Sequence, residues 1–202
     1  MQYEYRTIST ISKGLYKEKG SRFIALAYPV SDEDEIKTIL AALRKEYHDA
    51  RHYCYAWCLG TGQVHCRAND DGEPANSAGK PILAQINANE LSNILVVVIR
   101  YFGGVLLGVG GLIHAYREAS ADAIRNNKIT TRKIYETYQI HFNYPQMNDV
   151  MTMIKEHNLI QYDQDFGLHC SLKFKVWIKE RQKVIERLKI LEHVSLERLS
   201  GD

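Results

Sequence analysis

The sequence predicts an α+β protein of two small domains, and three observations lead to that prediction. The chain has 202 residues, enough for one large domain or two compact ones. Strand-like apolar runs are interleaved with amphipathic segments of helical period. The pattern restarts after Asn126-Asn127-Lys128, where a helix ends and a new strand-rich segment begins. We therefore divide the chain into residues 1–128 and 129–202.

The composition is that of an ordinary globular protein, with 45% hydrophobic and 25% charged residues. The longest apolar run, Ile94–Ile99, is far shorter than the roughly 20 residues of a membrane helix. The N-terminus has no apolar core of signal-peptide type, so we expect a cytoplasmic protein with no membrane partner. The formal net charge is only +2 and no basic block occurs, which weighs against autonomous nucleic-acid binding and indicates no DNA specificity.

The elements of the first domain follow from local patterns. An apolar, aromatic run predicts the first strand, and Ser31 is placed to cap the helix that follows it. Gly60-Thr61-Gly62 joins two strands into a hairpin. A β-branched run predicts a buried strand, and a glycine-rich loop over Gly103–Gly111 follows it. The predicted strands are Ser21–Val30, His52–Leu59, Gln63–Ala68 and Asn93–Ile99, and the predicted helices are Asp32–Tyr47, Lys80–Asn89 and Leu112–Asn126.

The second domain is predicted to have the order β-α-β-β-α-β, which is the ferredoxin-like pattern. One of its strands alternates apolar and polar residues from Leu168 onward, and Pro145 is suited to the first turn of a helix. We find no catalytic constellation in this domain and interpret it as a scaffold or docking surface. Its predicted strands are Lys133–Phe142, Leu159–Asp165, Leu168–Ile178 and His193–Leu199, and its predicted helices run from Pro145 to about His157 and over Lys179–Leu191.

The first candidate site is the segment Asp70–Pro74, which we call the acidic turn. Asp70, Asp71 and Glu73 surround Gly72 and precede Pro74. Carboxylate oxygens suit Mg²⁺, so these three side chains are the candidate ligands if a metal is bound at all. The same carboxylates would suit a cationic partner, and a solvated turn is the structural alternative.

The second candidate site is Arg100–Gly111, which we call the glycine segment. Arg100 is suited to clamp a phosphate or carboxylate, and Tyr101 and Phe102 are suited to stack on a base or pack on a partner. The segment is not a P-loop, since Leu112-Ile113 stands where Lys-Ser/Thr is required. A tight turn whose glycines serve packing is the alternative interpretation. The candidate binding glycines are Gly103, Gly104, Gly108, Gly110 and Gly111.

Two further signals are weaker. Ser77, with Ala78-Gly79 before a predicted helix, supplies backbone N–H groups that suit an anion. His52 is a candidate binding residue and a candidate base. Cysteines accompany it at 54, 58 and 66, but alternate positions along one strand spread over about 20 Å at 3.3 Å per residue and cannot converge on one zinc ion. Without a secretory signal we expect thiols rather than disulfides.

Taken together, the motifs resemble the YigZ/IMPACT family. The resemblance covers about residues 15–125 and rests on two long motifs and two shorter ones. They are Asp70-Asp71-Gly72-Glu73-Pro74 with Ser77-Ala78-Gly79-x-Pro81-Ile82-Leu83, then Asn93-x4-Val98-x-Arg100-Tyr101-Phe102-Gly103-Gly104-x3-Gly108-x-Gly110-Gly111-Leu112 closing with Ala115-Tyr116, and also Lys19-Gly-Ser21-Arg-Phe23-Ile24 and His52-x-Cys54-x-Ala56.

The resemblance implies a first domain of the βαβ type shared with a small-subunit ribosomal protein and with domain IV of elongation factor G. It also implies a ferredoxin-like second domain similar to domain V of the same factor. Eukaryotic relatives act in translational control through an additional RWD-type domain. Only about 15 residues precede the shared core here, so their mode of kinase regulation does not transfer.

Three functional hypotheses remain open at this point. The first is a translation-linked regulatory protein that contacts the ribosome, RNA or a translation factor. The second is an enzyme with Mg²⁺ as cofactor that acts on a phosphorylated small molecule or nucleotide. The third is a protein–protein regulator of a stress response in which the acidic turn docks a basic partner. The first two require the acidic turn and the glycine segment to meet at an exposed groove with the Arg100 guanidinium accessible.

Overall fold

The computed structural model of this protein describes residues 2–167 and 169–199, so Leu168 of one predicted strand lies outside the described residues. The chain divides into two compact units. Glu4–Arg132 form the first, and the residues from Lys133 onward, with those up to Tyr3, form the second. The predicted α+β, two-domain architecture is confirmed. Residues 129–132 belong to the first unit.

The first unit carries a five-stranded antiparallel sheet with strand order β2-β3-β6-β4-β5 and a separate pair, β1 and β7. Its strands are β1 (Glu4–Ile8), β2 (Ser12–Glu18), β3 (Ser21–Pro29), β4 (His52–Leu59), β5 (His65–Asn69), β6 (Ile94–Tyr101) and β7 (Ile129–Lys133), and its helices are α1 (Glu33–Glu46), α2 (Gly79–Ala88) and α3 (Gly108–Arg125).

Strand β6 organises two hydrophobic cores, one on each face of this sheet. Successive side chains of a strand point to opposite faces, so Ile94, Val96 and Val98 pack with α2 and α3, whereas Leu95 and Val97 and their neighbour Ile99 pack with α1. This two-sided burial explains why the strand is almost continuously apolar. It also means that Arg100 continues the α2–α3 face.

The second unit has the predicted ferredoxin-like topology. Its strands pair in the order β11-β8-β10-β9, with each described pairing antiparallel. Its core lies between this sheet and the helices α4 and α5. The elements are β8 (Tyr135–Phe142), a 3₁₀ turn (Tyr144–Gln146), α4 (Met147–Glu156), β9 (Ile160–Phe166), β10 (Cys170–Trp177), α5 (Arg181–Lys189) and β11 (Val194–Leu199).

Several local predictions are wrong in detail. Strands β1, β2 and β7 were not predicted, because they are short or polar and carry no continuous apolar run. Asp32 rather than Ser31 caps α1, since its Oδ1 accepts the N–H groups of Asp34 and Glu35.

The helix predicted to begin at Leu112 begins at Gly108 instead. Glycine is usually a helix breaker, and this first turn is exposed, so the helix extends into it from the packed stretch that begins at Leu112. The loop within the glycine segment is therefore shorter than predicted.

Candidate functional site

The acidic turn is held in place by the chain's own donors. Asp70 accepts N–H groups from Asn76, Ala78 and Gly79 at 2.8–3.0 Å. Ala78 is the N-cap of α2 but gives no side-chain hydrogen bond, so the Asp70 carboxylate takes the place of a cap. The anion seat predicted beside Ser77 is thus occupied by an anion of the chain itself. The Ser77 hydroxyl donates to the carbonyl of Pro74 at 2.7 Å.

Asp71 fastens the turn to β4 and α1. One of its carboxylate oxygens accepts the backbone N–H of Tyr53 at 2.7 Å, and the other accepts from the guanidinium of Arg44 at 2.8 Å. Its carbonyl lies 3.0 Å from Nδ1 of His52. Since a carbonyl only accepts, Nδ1 of His52 must carry the proton. In the neutral ring Nε2 is then a hydrogen-bond acceptor. The turn needs the left-handed conformation at Asp71 and Gly72, with φ of 40° and 86°.

Glu73 and Arg100 form a buried ion pair. Nη1 of Arg100 donates to Oε1 of Glu73 at 2.6 Å, and the two side chains are only 7% and 4% exposed. The hydroxyl of Tyr116 donates to the same oxygen at 2.8 Å. The structure therefore joins the acidic turn to the glycine segment, but the expectation of an accessible Arg100 guanidinium is wrong, because that side chain is only 7% exposed. The physical reason is the strand period, which turns Arg100 toward α3 and the core.

Cys54 extends this buried cluster. Its Sγ lies 3.0 Å from the Asp70 carbonyl, to which the thiol donates, and 3.3 Å from the Tyr116 hydroxyl. Burial raises the pKa of both Cys54 and Tyr116, so both stay protonated. A neutral, enclosed thiol is a poor nucleophile.

The metal hypotheses find no support in this arrangement. Each of the three carboxylates predicted as Mg²⁺ ligands is already held by protein donors. Across residues 2–167 and 169–199 no group of three or more His, Cys, Asp or Glu side chains is arranged to hold a metal ion.

Cys58 and Cys66 are joined in a disulfide, so the prediction of thiols is wrong for this pair. They are directly opposed across β4 and β5, a relation that requires the strand register.

An open groove lies beside the buried pair, at the end of β6. It has a volume of about 510 Å³ and is lined by Asp49, Arg51, His52, Arg100, Tyr101, Phe102 and Leu106. We call it the strand-end groove. Sequence reasoning named four of these residues and missed Asp49, Arg51 and Leu106. Strand register brings the two sides together, because His52 and Arg100 are direct partners across β4 and β6.

Arg100 forms one wall of the groove with hydrogen-bonding capacity unused. Its Nε is buried without a hydrogen-bond partner, and its single hydrogen bond within the described chain leaves from Nη1. The guanidinium stacks near Phe23 and Phe102, 5.5 and 5.6 Å from the ring centroids. An arginine has five N–H donors, so pairing with Glu73 leaves others unused, although only 7% of the side chain is exposed at the groove.

The rim of the groove is aromatic and apolar. Phe102 is 56% exposed and Leu106 is 83% exposed. The Tyr101 hydroxyl donates to Asp49 at 2.7 Å, which raises the pKa of Tyr101 to about 12 and lowers the pKa of Asp49. Asp49 is thus engaged, while the exposed Arg51 leaves positive charge and donors for a ligand.

Gly103 sets the position of this rim. Its backbone N–H donates to the Ser21 hydroxyl at 3.0 Å, and a Cβ at this position would lie 2.0 Å from the carbonyl carbon of Gly20. No side chain fits there. By contrast, a Cβ on Gly104 or Gly110 would meet no atom within 4 Å, so Gly103 makes the close backbone contact that those two glycines do not.

Among the described residues, no helix is long and apolar enough to cross a bilayer.

Comparison with solved structures gives a close fold match over the whole chain. A crystal structure described as a hypothetical protein is 27% identical and has a TM-score of 0.74, covering 100% of this chain and 99% of that one.

Comparison with known sequences identifies the family. The model of the Impact N-terminal domain matches residues 19–124. IMPACT family member YigZ of Escherichia coli is 36% identical over 138 residues, covering 67% of this chain and 68% of that protein. IMPACT family member YvyE of Bacillus subtilis is 28% identical over 182 residues, covering 90% and 83%. With these matches and the buried motifs they include, this chain belongs to the IMPACT family.

Proposed function

We propose that this protein is a translation-linked regulatory binding protein, and that the strand-end groove contacts RNA of the translation apparatus. One observation carries the proposal: the groove combines the cationic side chains of Arg51 and Arg100 with an exposed aromatic ring. Arg51 and Arg100 supply donors for phosphate oxygens, and Phe102 offers a face on which a base can stack. The link to translation comes from the family resemblance, which implies similarity to domains IV and V of elongation factor G.

The geometry favours this hypothesis over the two alternatives. A Mg²⁺-dependent enzyme would need free carboxylates, but all three carboxylates of the acidic turn accept hydrogen bonds from donors of the same chain. A regulator that docks a basic partner on the acidic turn would need those same charges exposed, and the Glu73 side chain is only 4% exposed. The groove, in contrast, is open and needs no rearrangement to admit a ligand.

The test is co-sedimentation of the purified protein with ribosomes at 50 and 200 mM KCl. We expect binding at low salt that weakens at high salt, since phosphate contacts release counterions. The double variant Arg51→Gln/Leu106→Ser should weaken binding about tenfold, equivalent to about 1.4 kcal/mol. A matched control, Arg125→Gln/Ile190→Ser, removes one exposed arginine and one exposed apolar side chain elsewhere and should bind as the wild type does.

Two results would contradict the proposal. One is the absence of the protein from the ribosome pellet at low salt. The other is equal loss of binding in the groove variant and the control, which would mean that the contact is a general charge effect.

A further inference from the structure

The open face of the second unit carries a cluster of rings and lysines that no functional argument has used so far. Helices α4 and α5 cover one face of its four-stranded sheet, and β10 alternates accordingly, with Leu172, Phe174 and Val176 buried. The intervening side chains, including Lys175 and Trp177, therefore belong to the other face.

Strand register places two aromatic side chains of this face side by side at one end of the sheet and a third near its middle. Trp177 of β10 is the direct partner of Tyr135 of β8, and Lys173 of β10 is the partner of Tyr162 of β9. Directly opposed residues in antiparallel strands share a face, so the three rings lie on the same side. Tyr135 is 40% exposed.

The indole of Trp177 is held in position and flanked by positive charge. Its Nε1 donates to the carbonyl of Tyr3 at 3.1 Å. The ammonium of Lys133 lies 4.3 Å from the ring centroid and that of Lys179 lies 5.1 Å from it. Both lysines are exposed, and neither forms an ion pair with any residue that the structure describes.

The carboxylates on the strands of this face lie away from the indole. Asp165 is opposite Ser171 at the far end of the sheet, and Glu197 is opposite Gln139 near its middle. Asp163 is engaged by Lys173 at 2.9 Å. The end of the sheet that carries Trp177 is thus both aromatic and positively charged.

We propose that this end of the sheet, the Trp177 platform (Trp177, Tyr135, Lys133 and Lys179), binds single-stranded RNA. A phosphate–ribose strand with unstacked bases matches both properties, because its phosphates pair with ammonium groups and its bases stack on exposed rings. A duplex presents phosphates but hides its base faces, so it matches only the charge. The inference extends the proposed function to a second surface and rests on it only for the identity of the RNA.

The experiment uses the full chain and a fluorescein-labelled ten-residue oligouridylate as probe, with anisotropy measured from 50 to 200 mM KCl. Lys133→Gln/Lys179→Gln should weaken binding about tenfold. It should also reduce the slope of log affinity against log salt by about 1.4, because each single-strand phosphate contact contributes about 0.7. The matched control Lys183→Gln/Lys189→Gln removes the same charge from exposed positions of α5 and should change neither quantity.

Stacking is tested by the Trp177 emission in a Trp57→Phe background, which should be quenched by the oligouridylate. If that background does not fold, the indole Nε1–H resonance of Trp177 in the wild type serves instead and should shift on titration.

An unmoved Trp177 signal, or equal weakening by the two lysine pairs, would overturn the inference. If Lys133→Gln/Lys179→Gln leaves RNA binding intact while Arg51→Gln/Leu106→Ser abolishes ribosome binding, the platform is wrong and the proposed function stands. If the lysine variant loses RNA binding while Arg51→Gln/Leu106→Ser keeps ribosome binding, the platform is supported and the proposed role of the groove is wrong.

Discussion

The acidic turn and the glycine segment look equally functional as sequence, yet the fold uses them in different ways. The carboxylates of the acidic turn accept hydrogen bonds from the N-terminus of α2, from the backbone of β4 and from the buried Arg100. The glycine segment leaves Phe102 and Leu106 in solvent beside the groove. The difference shows that polar side chains close together in sequence indicate chemistry only when no neighbour in the fold already satisfies them.

The largest expected effect comes from breaking the buried pair. Glu73→Ala should lower the free energy of unfolding by about 3–5 kcal/mol, because it leaves the Arg100 guanidinium buried without a counter-charge. Urea denaturation followed by circular dichroism measures the loss, and Glu73→Gln serves as the milder variant if the alanine variant does not fold.

The matched control is the more exposed pair between Arg44 and Asp71, whose side chains are 48% and 22% exposed. Arg44→Ala should cost about 1 kcal/mol or less, since solvent screens such pairs. An equal loss of unfolding free energy at the two pairs would show that burial does not make the Glu73–Arg100 pair the stronger one.

The next effect concerns the glycine segment. Gly103→Ala should destabilise the protein by about 1–3 kcal/mol, because its Cβ would overlap the backbone of Gly20 and force the rim outward. Gly110→Ala, with nothing within 4 Å, should be neutral or stabilise α3 by up to about 1 kcal/mol. Thermal unfolding of both variants measures the contrast, and a harmless Gly103→Ala would mean that the rim is not fixed by this close contact.

A smaller effect is expected where the acidic turn caps α2. Asp70→Ala removes the acceptor of three backbone N–H groups and should cost about 1–2 kcal/mol. Asp70→Asn keeps an amide oxygen that accepts hydrogen bonds and should recover part of the loss. Hydrogen exchange of the amides of Ala78 and Gly79 reports the cap directly, and unchanged exchange in the alanine variant would contradict it.

The smallest effect is a pH dependence at the groove. The hydrogen bond to Asp49 raises the folded-state pKa of Tyr101 to about 12 from the ordinary tyrosine value of 10.0. Its contribution to stability is therefore fully present below pH 10 and is lost as pH rises through about 12. In ¹³C-tyrosine NMR, Asp49→Asn should move the Tyr101 pKa back toward 10. Tyr138, whose pKa burial raises to about 12, should not respond.

The strongly patterned elements were predictable because their patterns reflect burial. The continuous run of β6 and the helical stripe of α3 each identify an element that must bury an apolar face. The short edge strand β2 was missed because SKGLYKE has no such run, and its pairing with β3 depends on a neighbour. For the site, the sequence pointed to Arg100 and Phe102 but not to Arg51 or Leu106, which are ordinary surface residues until the fold places them at a groove.

The amino-acid sequence alone determined the α+β class, the order of the ferredoxin-like elements and the family, because periodicity and ordered motifs are properties of the chain itself. Only the tertiary structure decided that Glu73 neutralises Arg100, that Cys58 bonds to Cys66, and that Lys133 and Lys179 flank Trp177. These pairings join residues through strand register, and register depends on the simultaneous packing of all strands of a sheet.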